Sequence, residues 1–534
     1  MKKMTITNKK KWWLCNCMGS GIAILSFCVM YTRCGWKNNY FHYMAFFAMG
    51  LGLFTVVLTG YQTILKKWSL KKIYPLLAIC LGILTYVILP VYTKPDDSHH
   101  GASAYMVSNL ILGTTAEDGM TYAVRRECDD LMKQVVTGEE YDGAKQMLYP
   151  NEADYNKIGS WLAKTDKTDL VIATMTKYKG GKLLPYALSG LGISIARVLG
   201  LNFGWGALFA ALLQMLLFVG CNTYAMRRTP IGDKIFFLFG LLPIVLQQTT
   251  SFSYEGALFS GLVIVMALTL TQAGQEKEKW SKKDWIMFIL ASILLLISKN
   301  GLYVPMLLLP LLFHVMDRQD GKEKKRLAVG LLLCLLVIGA GLAWIWLGGG
   351  KSVIEDFMER EYYNVYFDAK GHSIAYYLTH PIVMLGRFKN TFIVWGFTYV
   401  KGVVGGYVGW LQDIVISPKI VFLYYVLLIA AVFEETASGR SLQRKYRLIL
   451  WVLAILYAVI PMFVMMVRWT PADILTIEGV QGRYFLPAFL IFFLLLAGIK
   501  KKKKLSLPSY VYAVGMALCD VLAFTVCVWL SVLH

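Results

Sequence analysis

Apolar runs long enough to cross a bilayer as helices, which takes about 20 residues, recur from one end of this 534-residue chain to the other. With 57% of its residues hydrophobic and only 16% charged, the chain has lipid as its main solvent, which excludes an ordinary water-soluble domain. The runs predict an all-α, polytopic membrane protein with spans at residues 13–31, 41–65, 73–92, 203–226, 231–247, 256–273, 285–297, 302–316, 327–347, 420–433, 448–467, 485–499 and 510–533. The count is thus about 13 transmembrane helices, with 11–14 plausible, because the runs at 285–297 and 420–433 are short and 392–410 reads as re-entrant or interfacial. The basic start, residues 1–13, lacks a small-residue cleavage site and reads as the flank of a retained first helix.

The net charge of +21 would suggest nucleic acid in a soluble chain, but here Lys and Arg sit in short clusters between apolar runs, and no nucleic-acid partner is expected. With the N-terminus cytoplasmic, the even gaps carry Lys66 to Lys72, Arg227 to Lys234, Lys277 to Lys283, Arg318 to Arg326, Arg440 to Arg447 and Lys500 to Lys504. Every short basic cluster then lies inside, as the positive-inside rule requires, and the C-terminus is extracytoplasmic. Two long odd gaps, residues 93–202 and 348–419, become outer loops where a soluble substrate is handled. Within the first, Leu184, Leu188, Leu191, Ile195 and Val198 recur at helical spacing, which predicts an amphipathic helix in the outer interface. The ten cysteines lie mostly in apolar segments, and no disulfide framework or metal spacing follows from them.

Four polar clusters fall on the outer side. Pro95-Asp96-Asp97-Ser98-His99-His100 follows the third span directly, and ionisable groups at a membrane boundary are costly enough to be kept for function. Its bland reading is a solvated turn with Asp97 or Ser98 capping a helix through Ala104. Gln481-Gly482-Arg483-Tyr484-Phe485 offers a guanidinium fork suited to phosphate, or an interfacial anchor with Tyr484 in the aromatic belt. Ser298-Lys299-Asn300-Gly301 places a lysine at the outer boundary, or is a tight turn with a snorkelling side chain. Ser251 to Gly256 places Glu255 at the start of the sixth span, where it serves a site or caps the helix.

As an ordered set, Pro95-Asp96-Asp97-x-x-His100 with Ala104-Tyr105, Leu184-Pro185-Tyr186-Ala187-Leu188, Ser253-Tyr254-Glu255, Ser298-Lys299-x-x-x-Tyr303 and Gln481-Gly482-Arg483-Tyr484-Phe485-x-Pro487 resembles a bacterial membrane-protein family catalogued as domain of unknown function 2142. One departure is Asp97, where the family commonly carries Glu. That family looks like part of the GT-C superfamily of glycosyltransferases, which use polyprenyl-phosphate-linked sugars. The resemblance implies a GT-C-like core at residues 73–499, with two additional helices in 1–72 and a basic linker and last helix in 500–534. It implies an inverting transferase in the bacterial cell membrane, moving sugar from a polyprenyl-phosphate donor to an extracytoplasmic glycan or protein.

The residues suit that chemistry, since inverting transfer needs a carboxylate to take the acceptor's proton and cations to stabilise the leaving phosphate. The candidates are Asp96, Asp97 and His100 for catalysis, and Arg483, Tyr484, Lys299, Tyr105, Glu255 and Gln481 for donor phosphate or substrate. The residues fix no cofactor, and a divalent metal at Asp97 is left open. Two other functions stay open beside transfer: a lipid-linked saccharide flippase, for which Asp520 is the clearest mid-helix charge, and a polysaccharide polymerase or ligase. The carboxylate pair directly after a helix favours the transferase.

Overall fold

The computed structural model describes residues 6–114, 121–125, 152–163, 170–174, 180–274, 279–299, 302–316, 325, 358–364, 367–410, 414–437, 441–499 and 506–533. The expected span at 327–347, together with Cys128, Cys334, Asn300 and Gly301, lies outside them. The described chain is all-α apart from short two-stranded ribbons, one pairing β1 (Thr121–Arg125) with β2 (Leu170–Thr174).

Three helices open the chain: α1 (Ile6–Cys34), α2 (Tyr40–Gly60, ending in a π turn) and α3 (Leu70–Ile88). The segment between α3 and the next long helix then contributes α4 (Asp97–Leu112), α5 (Glu152–Ala163) and α6 (Ala187–Val198). The chain returns through α7 (Phe203–Arg228), α8 (Asp233–Phe239), α9 (Pro243–Thr249), α10 (Glu255–Ala273), α11 (Lys282–Ile297) and α12 (Leu308–Met316). It closes with α13 (Ile374–Thr379), α14 (Pro381–Val403), α15 (Pro418–Ala437), α16 (Arg444–Arg468), α17 (Leu486–Ala497), α18 (Ser509–Leu522) and α19 (Trp529–Val532). Among the described residues, seven helices are long and apolar enough to cross a membrane, and three more apolar helices are shorter. The protein is a polytopic α-helical membrane protein.

Every residue of α10 is buried, so this helix is the axis of the bundle, with α7 and α11 packed on it. Lipid offers helices no hydrophobic gain on association, so close approach of backbones through small residues does that work. Gly261 of α10 shows it, since a Cβ there would meet the Leu295 side chain of α11 at 2.9 Å.

One expected span differs. Residues 231–247 form two short buried helices, α8 and α9, rather than one. Pro243 has no N–H and pushes Leu242 to an extended ψ of 136°, so the helix ends and restarts there. Of the stretch read as re-entrant or interfacial, 392–410, residues up to Val403 belong to the 23-residue helix α14. Arg387 near its start bonds the Pro471 and Ala472 carbonyls, Thr391 accepts from the Ile477 amide, and Gly402 near its end packs on Gly482. α14 therefore lies along the loop between α16 and α17 at one end of the bundle.

The amphipathic helix is α6. Its small and polar face, Ser189, Gly190, Gly192, Ser194 and Ala196, is buried against α4 and α7. Leu191, Ile195 and Val198 of the predicted stripe point outward, where hydrocarbon would cover them. The stripe lines none of the cavity described below.

Candidate functional site

The turn after α3 sets the first functional groups. Asp96 has φ +55°, a left-handed conformation that Asp tolerates better than most residues, and although it stands at the N-cap of α4 its side chain makes no capping bond. The carboxylate instead points to Arg483, with Oδ2 3.5 Å from Nη2. Its side chain is 56% exposed while that of Arg483 is 5% exposed, so the pair sits at a boundary between solvent and interior.

Asp97 does something else. Its Oδ2 accepts from the Tyr92 amide and its Oδ1 from the Phe252 amide, both at 2.9 Å. The ammonium of Lys94, fully buried, donates to the Thr250 carbonyl and, at 3.3 Å, to the Thr250 hydroxyl. Lys94 and Asp97 thus pin the turn after α3 to the turn before α10. Burial pushes Lys94 down to about 8, with the Asp97 carboxylate working the other way. Burial raises Asp97, and Lys94 and the two amides offset part of that.

Glu255 begins α10, with its amide bonded to Ser253 Oγ at 3.2 Å. Lys299, just beyond the end of α11, holds φ +44°, which turns its Nζ to 2.9 Å from Glu255 Oε1. Arg483 Nε lies 3.9 Å from the same oxygen. Both cations also face the Tyr484 ring, Lys299 at 4.7 Å and Arg483 at 5.2 Å. Burial opposes the charged forms of Lys299 and Arg483, but Glu255 and the nearby tyrosines outweigh it and hold both groups above their usual ranges. Arg483 is presented by a single 3-10 turn, Gly482–Phe485, that Pro487 leads into α17.

These groups line one cavity of about 430 Å³ together with His100, Tyr254 and Tyr303. His100 Nδ1 is 2.9 Å from the Tyr186 hydroxyl, which anchors the ring to the segment leading into α6. The opposite wall is apolar, from Leu302 and from Pro461, Phe463, Val464 and Met465 of α16. Leu448, Val452, Ile455 and Val459 form an exposed stripe up α16 whose helical spacing continues into Phe463, so an apolar track on the outside of the protein runs into a charged cavity.

Of the nine residues singled out in the sequence, six meet here: Asp96, His100, Glu255, Lys299, Arg483 and Tyr484. Three do not line the cavity. Asp97 is a buried tie between turns. Tyr105 packs against Phe203 beneath Arg197, whose guanidinium lies 4.8 Å from its ring. Gln481 lines a narrow cleft behind Arg483 with Gln247 and Trp410. Sequence reasoning missed Lys94, Tyr362 and Arg468; the last two line the cavity, and the position of Arg468 at the end of a span was the available signal.

Asp97 is not placed to hold a divalent cation, since both its oxygens are taken by amides, and the described residues contain no cluster of three or more His, Cys, Asp or Glu that could hold a metal ion. Asp520, the mid-helix charge, accepts from the Tyr424 hydroxyl at 2.6 Å inside the bundle and lines none of this cavity.

The family described as "Predicted membrane protein (DUF2142)" matches residues 79–492. The chain belongs to that family. In this DUF2142 protein the matched stretch contains every cavity residue named above, from Asp96 to Tyr484. No curated protein and no solved structure matches the chain.

Proposed function

We propose that this DUF2142 protein is an inverting, GT-C-like glycosyltransferase at the outer face of the bacterial cell membrane, taking sugar from a polyprenyl-phosphate-linked donor to an extracytoplasmic glycan or protein. The observation that carries the reading is the exposed Asp96 carboxylate beside the buried Arg483, in a cavity whose other wall continues the apolar track of α16. A lipid-linked phosphate has this same division, a long apolar chain joined to a compact anion.

In the proposed reaction the acceptor hydroxyl loses its proton to Asp96 as its oxygen attacks the anomeric carbon, and the bond from that carbon to the phosphate oxygen breaks with its electrons going to the lipid phosphate. Arg483 and Lys299 meet the charge that develops there. Glu255 holds the two cations in place before the donor arrives.

The test is to purify the protein with its bound lipid, identify that lipid by mass spectrometry and use it as donor. Asp96→Asn is expected to keep the lipid and its membrane abundance but to lose about 10²- to 10⁴-fold in transfer rate, as removal of a general base does. Arg483→Ala is expected to lose the lipid. An Asp96→Asn protein that transfers at the wild-type rate overturns the reading, since Asn serves a mere turn about as well as Asp.

A further inference from the structure

A second cavity lies at the opposite end of the bundle. α7 starts at Phe203, stacked on Phe252 beside the site, and ends at Arg228; α11 starts at Lys282 and ends next to Lys299. The last turn of one and the first turn of the other therefore lie together at the far end, both packed on α10, and a cavity of about 410 Å³ separates them. Its lining is basic: Arg227, Arg228, Lys279 and Lys283, with Asp284 as its one acidic member among the described residues.

The acid is already committed. Asp284 Oδ1 accepts from the Tyr224 hydroxyl at 2.6 Å and from Arg228 Nε at 2.8 Å, and Oδ2 completes a capping box with Ser281. Arg228 also donates to the Lys279 carbonyl at 3.3 Å. This network makes a rigid floor, and it leaves the exposed Arg227, Lys279 and Lys283 unpaired with any carboxylate among the described residues. Among the described residues the cavity thus carries more cations than carboxylates, with Lys283 resting over the Tyr224 ring at 5.8 Å.

Above it, Thr223, Gly220 and Leu216 share the face of Arg227 on α7; Gly220 and Leu216 are exposed and a Cβ at Gly220 would meet nothing, so an open, largely apolar helix face rises from the cavity. On α11, Ile286 and Ile293 share the face of Lys283 and are exposed. A soluble anion has no use for such a track, whereas a lipid with a charged head needs both parts.

We propose that this cleft binds the phosphodiester headgroup of an anionic phospholipid, with an acyl chain lying along Gly220 and Leu216. The binding is independent of the transferase reading. Basic residues near a membrane surface attract anionic lipid by electrostatics alone, so the question is whether this cavity is a site rather than part of a diffuse field.

Native mass spectrometry of the purified full-length protein, titrated with phosphatidylglycerol or phosphatidylcholine, tests it. Phosphatidylglycerol is expected to bind more tightly than phosphatidylcholine, and the double variant Arg227→Gln with Lys283→Gln to weaken that binding by about tenfold or more. Lys66→Gln with Lys72→Gln removes two cations from the same end of the bundle and is expected to leave it unchanged; all four side chains are exposed, so neither variant threatens the fold. Equal binding of phosphatidylcholine, or an equal loss in both variants, overturns the proposal. Displacement of the lipid by inorganic phosphate also overturns it, since the cleft would then be a site for soluble anions.

Discussion

Asp96 and Asp97 are adjacent and chemically alike, yet the backbone between them sends one carboxylate to the cavity and the other into the interior. The positive φ of Asp96 makes that division, and strain of this kind is maintained where the surroundings over-determine it. Lys94, buried beside Asp97, has a measurable consequence. Its folded pKa of about 8 lies below the ordinary 10.5, so between those values the unfolded chain holds a proton that the folded protein has released. Stability from this group therefore rises as pH climbs from about 8 towards 10.5, and is lost as pH falls back through about 8. The swing is up to about 3 kcal/mol. Thermal unfolding in detergent is expected to show it as a difference between wild type and Lys94→Met that changes across this window; a difference constant with pH counts against a depressed Lys94.

Among the elements, α6 shows best how a legible pattern can leave the packing face unread. The leucine and isoleucine stripe is legible in the sequence, but in a membrane protein the apolar face is the one that needs no protein partner. Packing falls to the small residues instead. Gly192 sits so close to α7 that a Cβ would lie 2.3 Å from the Ala210 amide nitrogen, and the neighbour is backbone, which cannot swing aside. Gly192→Ala is expected to push α6 off α7, lowering thermal stability by about 1–3 kcal/mol, as overpacking does. It should also disturb the Tyr186 contact to His100. Ala196→Gly, a cavity-forming change at a neighbouring buried position, is a control for loss of packing without collision. A Gly192→Ala protein as stable as wild type would show that the helices are farther apart.

For the whole molecule, the chain directions put the Asp96 cavity at one end of the bundle and the basic turns before α3 and α11 at the other. The basic clusters in the sequence predict which end is outside. With native thiols replaced, an impermeant thiol reagent applied to intact cells is expected to label a cysteine at exposed Asp473, in the loop between α16 and α17, and to leave cysteines at Lys283, Lys325 and Lys502 unlabelled; labelling at 502 would reverse the orientation. The sequence by itself determined that the protein is a helical membrane bundle, because run length and charge clusters are local properties read against a uniform solvent. It also named six residues of the cavity, because costly ionisable groups at a boundary stand out one at a time. Tertiary structure alone decided which of them meet. Asp96 and Arg483 are separated by 387 positions, and no local pattern states that they lie 3.5 Å apart. Nor could periodicity tell the outward carboxylate of Asp96 from the buried one of Asp97, since that depends on a single backbone angle and on amides contributed by Tyr92 and, from a distant turn, Phe252.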